Sequence, residues 1–229
     1  KNRVVFDIGH GSDTWPPSKG ICLPDGKPFA EHSFNSAAAV AAKELAEKNG
    51  FEILLPQQPY SPDVPSSARS YWINREHRKS PILCLLSFHA NAATDTASGH
   101  CVFHWSNSRN GKHLAELWDK YAMDPADPPV RTGDLGKQER QLEQFSYSEE
   151  TAPPAILMEH FFYTNMEELR ACNTPEFIRL CAETAVKAIC EYAGVPYRGL
   201  MLPQSRPCPL PPESAEGISP WWEYVTYDG

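Results

Sequence analysis

The chain has 229 residues, enough for one α/β domain with an appendage or two small domains, and 41% of them are apolar, which supports a real core. Its net charge of −8 and the lack of a basic run argue against a nucleic-acid-binding protein. No apolar stretch approaches the roughly 18 residues of a membrane span, and we recognise no secretory leader.

The cysteines favour free thiols over cross-links or a metal ribbon. There are seven of them, an odd number, and no two form a C-x-x-C pair. Most fall in predicted helices and core strands, where free cysteine behaves as a small apolar residue. We therefore expect buried free thiols and folding in a reducing compartment. The seven are Cys22, Cys84, Cys101, Cys172, Cys181, Cys190 and Cys208.

The first predicted element is a strand that ends at a histidine held between two glycines. The run Val4–Phe6 is β-branched and aromatic, and it stops at Gly9 and Gly11, which flank His10. Glycine allows a sharp turn and the close approach of other groups. We therefore expect His10 to stand at the carboxyl edge of this strand, where open α/β sheets bind ligands.

The rest of the chain alternates between helical and strand patterns. Helical spacing predicts a long helix over residues 31–49, ended by Gly50. Residues 124–151 are rich in charged and turn-forming residues and are predicted to carry a strand or loop over the site. The other predicted elements are strands at 51–56, 81–90, 99–105 and 154–159, helices at 68–79, 111–122 and 175–193, and a proline-rich loop at 56–67.

This alternation predicts an α/β fold, a three-layer αβα sandwich with a mainly parallel central sheet. Three of the strands end in an ionisable residue: His10, His89 and Glu159. Two imidazoles and a carboxylate at one sheet edge suit Zn²⁺. The spacing leaves open which carboxylate binds metal and which does chemistry.

The composition changes near Pro196. Residues 196–229 are rich in proline and serine and end in "WWEYVTYDG". We therefore expect a catalytic domain over residues 1–195 and a C-terminal extension or linker over 196–229. The aromatic end either packs back on the domain or begins a further module.

Four segments resemble a known enzyme family when they are taken in order. They are "FDIGHGS", "AEHSFNSAAAVAAKELAEKNGFEILLP", "SFHANA" and "PAILMEHFFYTN". Together they look like the zinc-dependent N-acetylmuramoyl-L-alanine amidases of the amidase-3 type, over about residues 3–194. These enzymes cut peptidoglycan in bacterial cell-wall remodelling and in phage lysis. The resemblance implies a phosphorylase/hydrolase-like αβα sandwich.

The resemblance also implies roles for individual residues. The zinc ligands would be His10, Glu31 and His89, and the catalytic carboxylate would be Glu159. Three ligands leave a fourth zinc position for water, which zinc activates near neutral pH. Glu159 would take a proton from that water and later pass one to the leaving amine. The bond cut would join the lactyl group of N-acetylmuramic acid to L-alanine of the stem peptide.

The sequence departs from the family pattern in three places. Ile8 and Ser12 stand where proline and glycine are usual, and His160 and Phe161 stand where threonine and glycine are common. The loop from Gly11 to Ala30 is fairly long and proline-rich. These departures leave the metal set intact and affect the substrate detail.

Two other functions remain open at this point. One is a zinc peptidase that cuts within the stem peptide, which the same site would serve. The other is a metal-free wall-binding or regulatory domain, which is disfavoured because all four site residues are present. In each case we expect a monomer that acts at the bacterial cell wall, with peptidoglycan as its partner. It would be either a phage lysin made in the host cytoplasm or a secreted or periplasmic host enzyme.

Several side chains near these motifs have competing interpretations. Asp7 either orients His10 as a hydrogen-bond acceptor or caps the turn. For His160, the sequence favours neither a contact with substrate nor a position away from it. We assign four other histidines to packing or to the surface, outside the site: His32, His100, His104 and His113.

Overall fold

The computed structural model describes residues 1–122, 137–139 and 152–199. Residues Lys1–Arg198 form one compact unit. Its strands are β1 (Arg3–Ile8), β2 (Gly20–Cys22), β3 (Pro28–Ala30), β4 (Glu52–Leu54), β5 (Ile82–Asn91), β6 (Cys101–His104), β7 (Lys137–Glu139) and β8 (Ala155–Phe162). Its helices are α1 (Glu31–Lys48), α2 (Ser66–Lys79), α3 (Arg109–Ala122), α4 (Met166–Cys172) and α5 (Pro175–Tyr192).

Six strands form one sheet in the order β4-β1-β5-β8-β6-β7. The first four run parallel to one another, whereas β6 runs antiparallel to β8 and β7 pairs parallel to β6. The central strands β1, β5 and β8 are buried almost throughout, as expected of apolar runs covered on both faces. The prediction of a mainly parallel sheet is confirmed.

Helices cover both faces of this sheet. Alternate residues of a strand point to opposite faces, and Val5 and Leu85 share one apolar cluster with Ile73 of α2. On the other face Phe88 stacks on His160 of β8, whose ring packs against Phe34 of α1 and Trp118 of α3. Helix α5 packs between α1 and α3 on this face. The three-layer sandwich is therefore confirmed.

Local differences from the predicted elements appear in three places. The loop after His10 contains an antiparallel hairpin, β2–β3, which its proline-rich sequence did not indicate. β8 runs three residues past Glu159, and the short helix α4 follows it, capped by Asn165. Within the predicted loop at 124–151, residues 137–139 are a strand. The rest of that loop and residues 200–229 lie outside the described residues, so the boundary at 195/196 stays a prediction.

Of the six cysteines in the described part of the chain, five are buried free thiols, as predicted, and Cys208 lies outside the described residues. Burial raises the pKa of Cys101 to about 12 and that of Cys190 to about 11. Cys22 is free but exposed, because it lies in the β2–β3 hairpin rather than in the sheet. None of the described helices is both long and apolar enough to cross a membrane.

Candidate metal centre

The turn that carries His10 requires both of its glycines. A Cβ on Gly9 would lie 2.3 Å from the ring of His89, and one on Gly11 would lie 1.9 Å from the backbone nitrogen of Asp63. His10 itself has a φ of 62°, in the left-handed region that few residues other than glycine adopt. The glycines therefore let two other chain segments approach the histidine.

The loop between β4 and α2 holds this unusual turn in place. The Gln57 amide donates to the carbonyl oxygens of Ile8 and His10, and its own oxygen accepts from the Val64 amide. Gln57 is only 2% exposed. A buried side-chain amide whose nitrogen and oxygen both have hydrogen-bond partners is satisfied. Gln57 therefore holds the backbone at His10 in this conformation.

Two roles were left open for Asp7, orienting His10 or capping the turn, and neither matches the contacts that the structure describes for its carboxylate. Its carboxylate pairs with the Arg69 guanidinium at 2.5 Å and accepts from the Ser87 hydroxyl at 2.6 Å. Arg69 also donates to the carbonyl oxygen of Ile8 at 3.0 Å. Both carboxylate oxygens of Asp7 thus serve a buried network that ties α2 to the end of β1.

Glu31, the first residue of α1, lies between the two histidines of the predicted site. One oxygen is 3.2 Å from Nε2 of His10 and the other is 3.1 Å from Nδ1 of His89. The Ala90 amide and the Asn35 side chain also donate to it, each at 3.2 Å. An acid in the first turn of a helix already suits the helix dipole, and the contacts of Glu31 with both histidines go beyond that role.

Two effects oppose each other at the Glu31 carboxylate. Burial raises its pKa, but the hydrogen bonds and charges of His10 and His89 outweigh burial and bring the pKa far below its usual range. Glu31 is therefore an anion at neutral pH. A charged carboxylate buried to 2% exposure is costly unless it is paired or binds a cation.

The geometry of His10, Glu31 and His89 fits a zinc site. Their ligand atoms all lie within 4.8 Å of one another. Zn²⁺ binds histidine nitrogen and carboxylate oxygen at about 2.0–2.2 Å in a tetrahedron, which places neighbouring ligand atoms roughly 3.3 Å apart. The His10 and His89 side chains are partly exposed, so the cluster is accessible to solvent. The residue types and their spacing thus agree with a catalytic rather than a closed site.

Glu159 lies beside this cluster on the neighbouring strand. It is the register partner of His89 on β5 and of Cys101 on β6. Register partners point to the same face of a sheet, and Glu159 is only partly buried. Tyr163, a buried residue directly after β8, is one that the sequence did not single out. Burial and the charges of Glu31 and Glu159 raise its pKa to about 12.

The other histidines lie outside the metal cluster. His160 is 1% exposed and packs among aromatic rings, which leaves no room for substrate against it. His32 faces the Gly9 carbonyl oxygen, and His113 is exposed on α3 as expected. His100 and His104 are fully buried; His100 lies 3.0 Å from Asp119.

The family model for N-acetylmuramoyl-L-alanine amidases matches residues 4–191. The chain belongs to this family. It is an N-acetylmuramoyl-L-alanine amidase of the amidase-3 type, an enzyme class that acts on peptidoglycan. Among curated proteins, a search found none that matches the chain.

Solved structures of amidase catalytic domains share the fold. The catalytic domain of CwlV from Bacillus (Paenibacillus) polymyxa is 22% identical, with a TM-score of 0.69 over 86% of this chain and 100% of that one. An amidase from Clostridium difficile 630 has the same identity and TM-score over 84% and 97%. The catalytic domain of an endolysin that targets Clostridia difficile is 16% identical, with a TM-score of 0.56 over 83% and 98%.

Proposed function

We propose that this amidase cuts the bond between the lactyl group of N-acetylmuramic acid and L-alanine of the stem peptide, and that it uses Zn²⁺ to do so. The observation that carries the proposal is the cluster of His10, Glu31 and His89, with Glu159 beside His89 on the next strand. The three cluster residues would hold the ion. When bound, zinc would polarise the scissile carbonyl and lower the pKa of a water molecule.

The role of Glu159 follows from its place next to the cluster. A carboxylate there can accept a proton from the attacking water and then deliver one to the leaving amine of L-alanine. The substrate carbonyl would approach from the solvent side of the cluster, where the His10 and His89 side chains are partly exposed.

The test is digestion of purified peptidoglycan by three zinc-loaded proteins: native, Glu159→Gln and Glu167→Gln. Glu167 is an exposed acid in the first turn of α4 and serves as the matched control. We expect the native and control proteins to release stem peptides with a free L-alanine amino terminus, identified by mass. The Glu159→Gln variant keeps its zinc and loses at least about 10²-fold in rate.

Other outcomes would change the conclusion. Fragments cut inside the stem peptide would make the protein a zinc peptidase with the same site. Zinc binding without any cleavage would favour a wall-binding or regulatory role. Full activity of Glu159→Gln would show that another residue transfers the proton. Full activity in the presence of a chelator would show that zinc takes no part in the mechanism.

A further inference from the structure

A β-bulge follows Glu159 directly in β8. On β5, His89 pairs with Glu159 and Asn91 pairs with Phe162, so two steps along β5 match three steps along β8. The extra residue falls between Glu159 and Phe162. Such a bulge interrupts the ladder of hydrogen bonds and bends the strand. Here the bulge lies directly after Glu159, the proposed general base, and before the end of β8 at Phe162.

The bulge sends two consecutive side chains into the same aromatic layer. The rings of His160 and Phe161 both pack on Phe34 of α1, with centroids 5.7 and 4.9 Å from it. In a regular strand these two neighbours would point to opposite faces of the sheet. Both are fully buried, at 1% and 0% exposure, whereas Glu159 is only partly buried.

His160 contacts the backbone of a proposed zinc ligand. Its Nδ1 lies 3.0 Å from the carbonyl oxygen of His89. A carbonyl oxygen only accepts, so the proton of the contact belongs to Nδ1. The ring is held by stacking on Phe88, at 5.8 Å and 11°, and by the edge of Trp118, at 5.6 Å.

We propose that His160 is a positioning residue, which fixes the spacing between His89 and Glu159 by donating its Nδ1–H to the His89 carbonyl oxygen across the bulge. The inference rests on the roles proposed above for those two residues. Because the bulge weakens the ladder at this point, the side-chain bond replaces a backbone tie between β5 and β8. Active-site groups tolerate misplacement poorly, since about 1 Å can cost 10²-fold in rate.

The test separates the hydrogen bond from the packing of the ring. His160→Phe keeps an aromatic ring but removes the donor, and His160→Asn keeps a donor near the Nδ1 position but loses the ring. His100→Phe is the matched control, because His100 is also buried and packs edge-on against Trp118 but pairs with Asp119 of α3. Each protein is measured for zinc affinity against a chelating dye, for kcat and KM on a soluble N-acetylmuramoyl peptide, and for unfolding temperature.

We expect His160→Phe to bind zinc about tenfold more weakly and to lose about 10- to 100-fold in kcat, the range for outer groups that orient metal ligands. Its KM should stay within about twofold, because substrate binding is untouched. His160→Asn should keep most of the kcat despite a lower unfolding temperature. The control, His100→Phe, should change the unfolding temperature alone.

Nitrogen-resolved NMR of the zinc-free protein tests the contact without reference to activity. The expected signal is a slowly exchanging proton on Nδ1 of His160, and a proton found on Nε2 instead overturns the proposal. Equal zinc affinity and kcat in His160→Phe and His100→Phe overturn it as well. If the native protein binds zinc but releases no peptide, the proposed function fails, and zinc affinity still decides the role of His160. If the native protein neither binds zinc nor releases peptide, both proposals are contradicted.

Discussion

At the scale of single residues, the site depends on the absence of a side chain at Gly9. Gly9 has no side chain, and the ring of His89 occupies the space where a Cβ would lie. This explains why the first strand ends in the pattern Gly-His-Gly. The sequence indicated a sharp turn there, but the close approach of a second histidine from another strand is a tertiary contact that no local pattern encodes.

We expect Gly9→Ala to damage the metal site without unfolding the protein. The new methyl group must displace the His89 ring, so zinc affinity should fall by at least about tenfold and the rate of peptide release by about 10²-fold. Gly26→Ala is the control, because its Cβ would meet open space. The positive φ at this position costs an alanine about 1–2 kcal/mol of stability. Native zinc affinity in Gly9→Ala would contradict this account of the turn.

At the scale of elements, the site depends on where the strands β1, β5 and β8 end and on how the helix α2 is tied to the end of β1. The sequence predicted that β1, β5 and β8 end in His10, His89 and Glu159, because strand ends are marked by local composition. It could not predict that α2 reaches back to β1 through the Arg69–Asp7 pair, since those residues are 62 positions apart. The bulge in β8 could not be predicted either, because a bulge is defined by the pairing register between two strands, here β5 and β8.

The Arg69–Asp7 pair gives a prediction about stability. Arg69→Met leaves the Asp7 carboxylate buried at 0% exposure with only the Ser87 hydroxyl, and removing one partner of a buried pair costs about 3–5 kcal/mol. Urea unfolding measures this cost. Arg75→Met on the same helix is the control, because Arg75 is exposed and surface pairs contribute about 1 kcal/mol or less. Adding Asp7→Asn to Arg69→Met should restore part of the loss; equal stability of both arginine variants would contradict the prediction.

At the scale of the whole molecule, the αβα sandwich gathers distant parts of the chain at one sheet edge. The alternation of strands and helices was enough to predict this architecture, because parallel strands joined by helices must place their carboxyl ends together. Strand spacing left open which carboxylate binds metal. The structure supplies the missing contact: Glu31 from the start of α1 lies between two histidines near the ends of two different strands, His10 just after β1 and His89 within the last residues of β5.

Metal removal provides the whole-molecule test of that arrangement. An ion that binds the native state alone stabilises it by about 2.7 kcal/mol at a concentration of 100 Kd. For a chain of this size that raises the unfolding temperature by roughly 5–10 °C. We expect zinc to produce this shift in the native protein and a chelator to abolish it. Glu31→Gln should lose most of the shift, whereas Glu159→Gln should keep it, because Glu159 belongs to the chemistry rather than to the ligand set. The opposite pattern would exchange the roles of the two carboxylates, and the same shift in all three proteins would place the ion elsewhere.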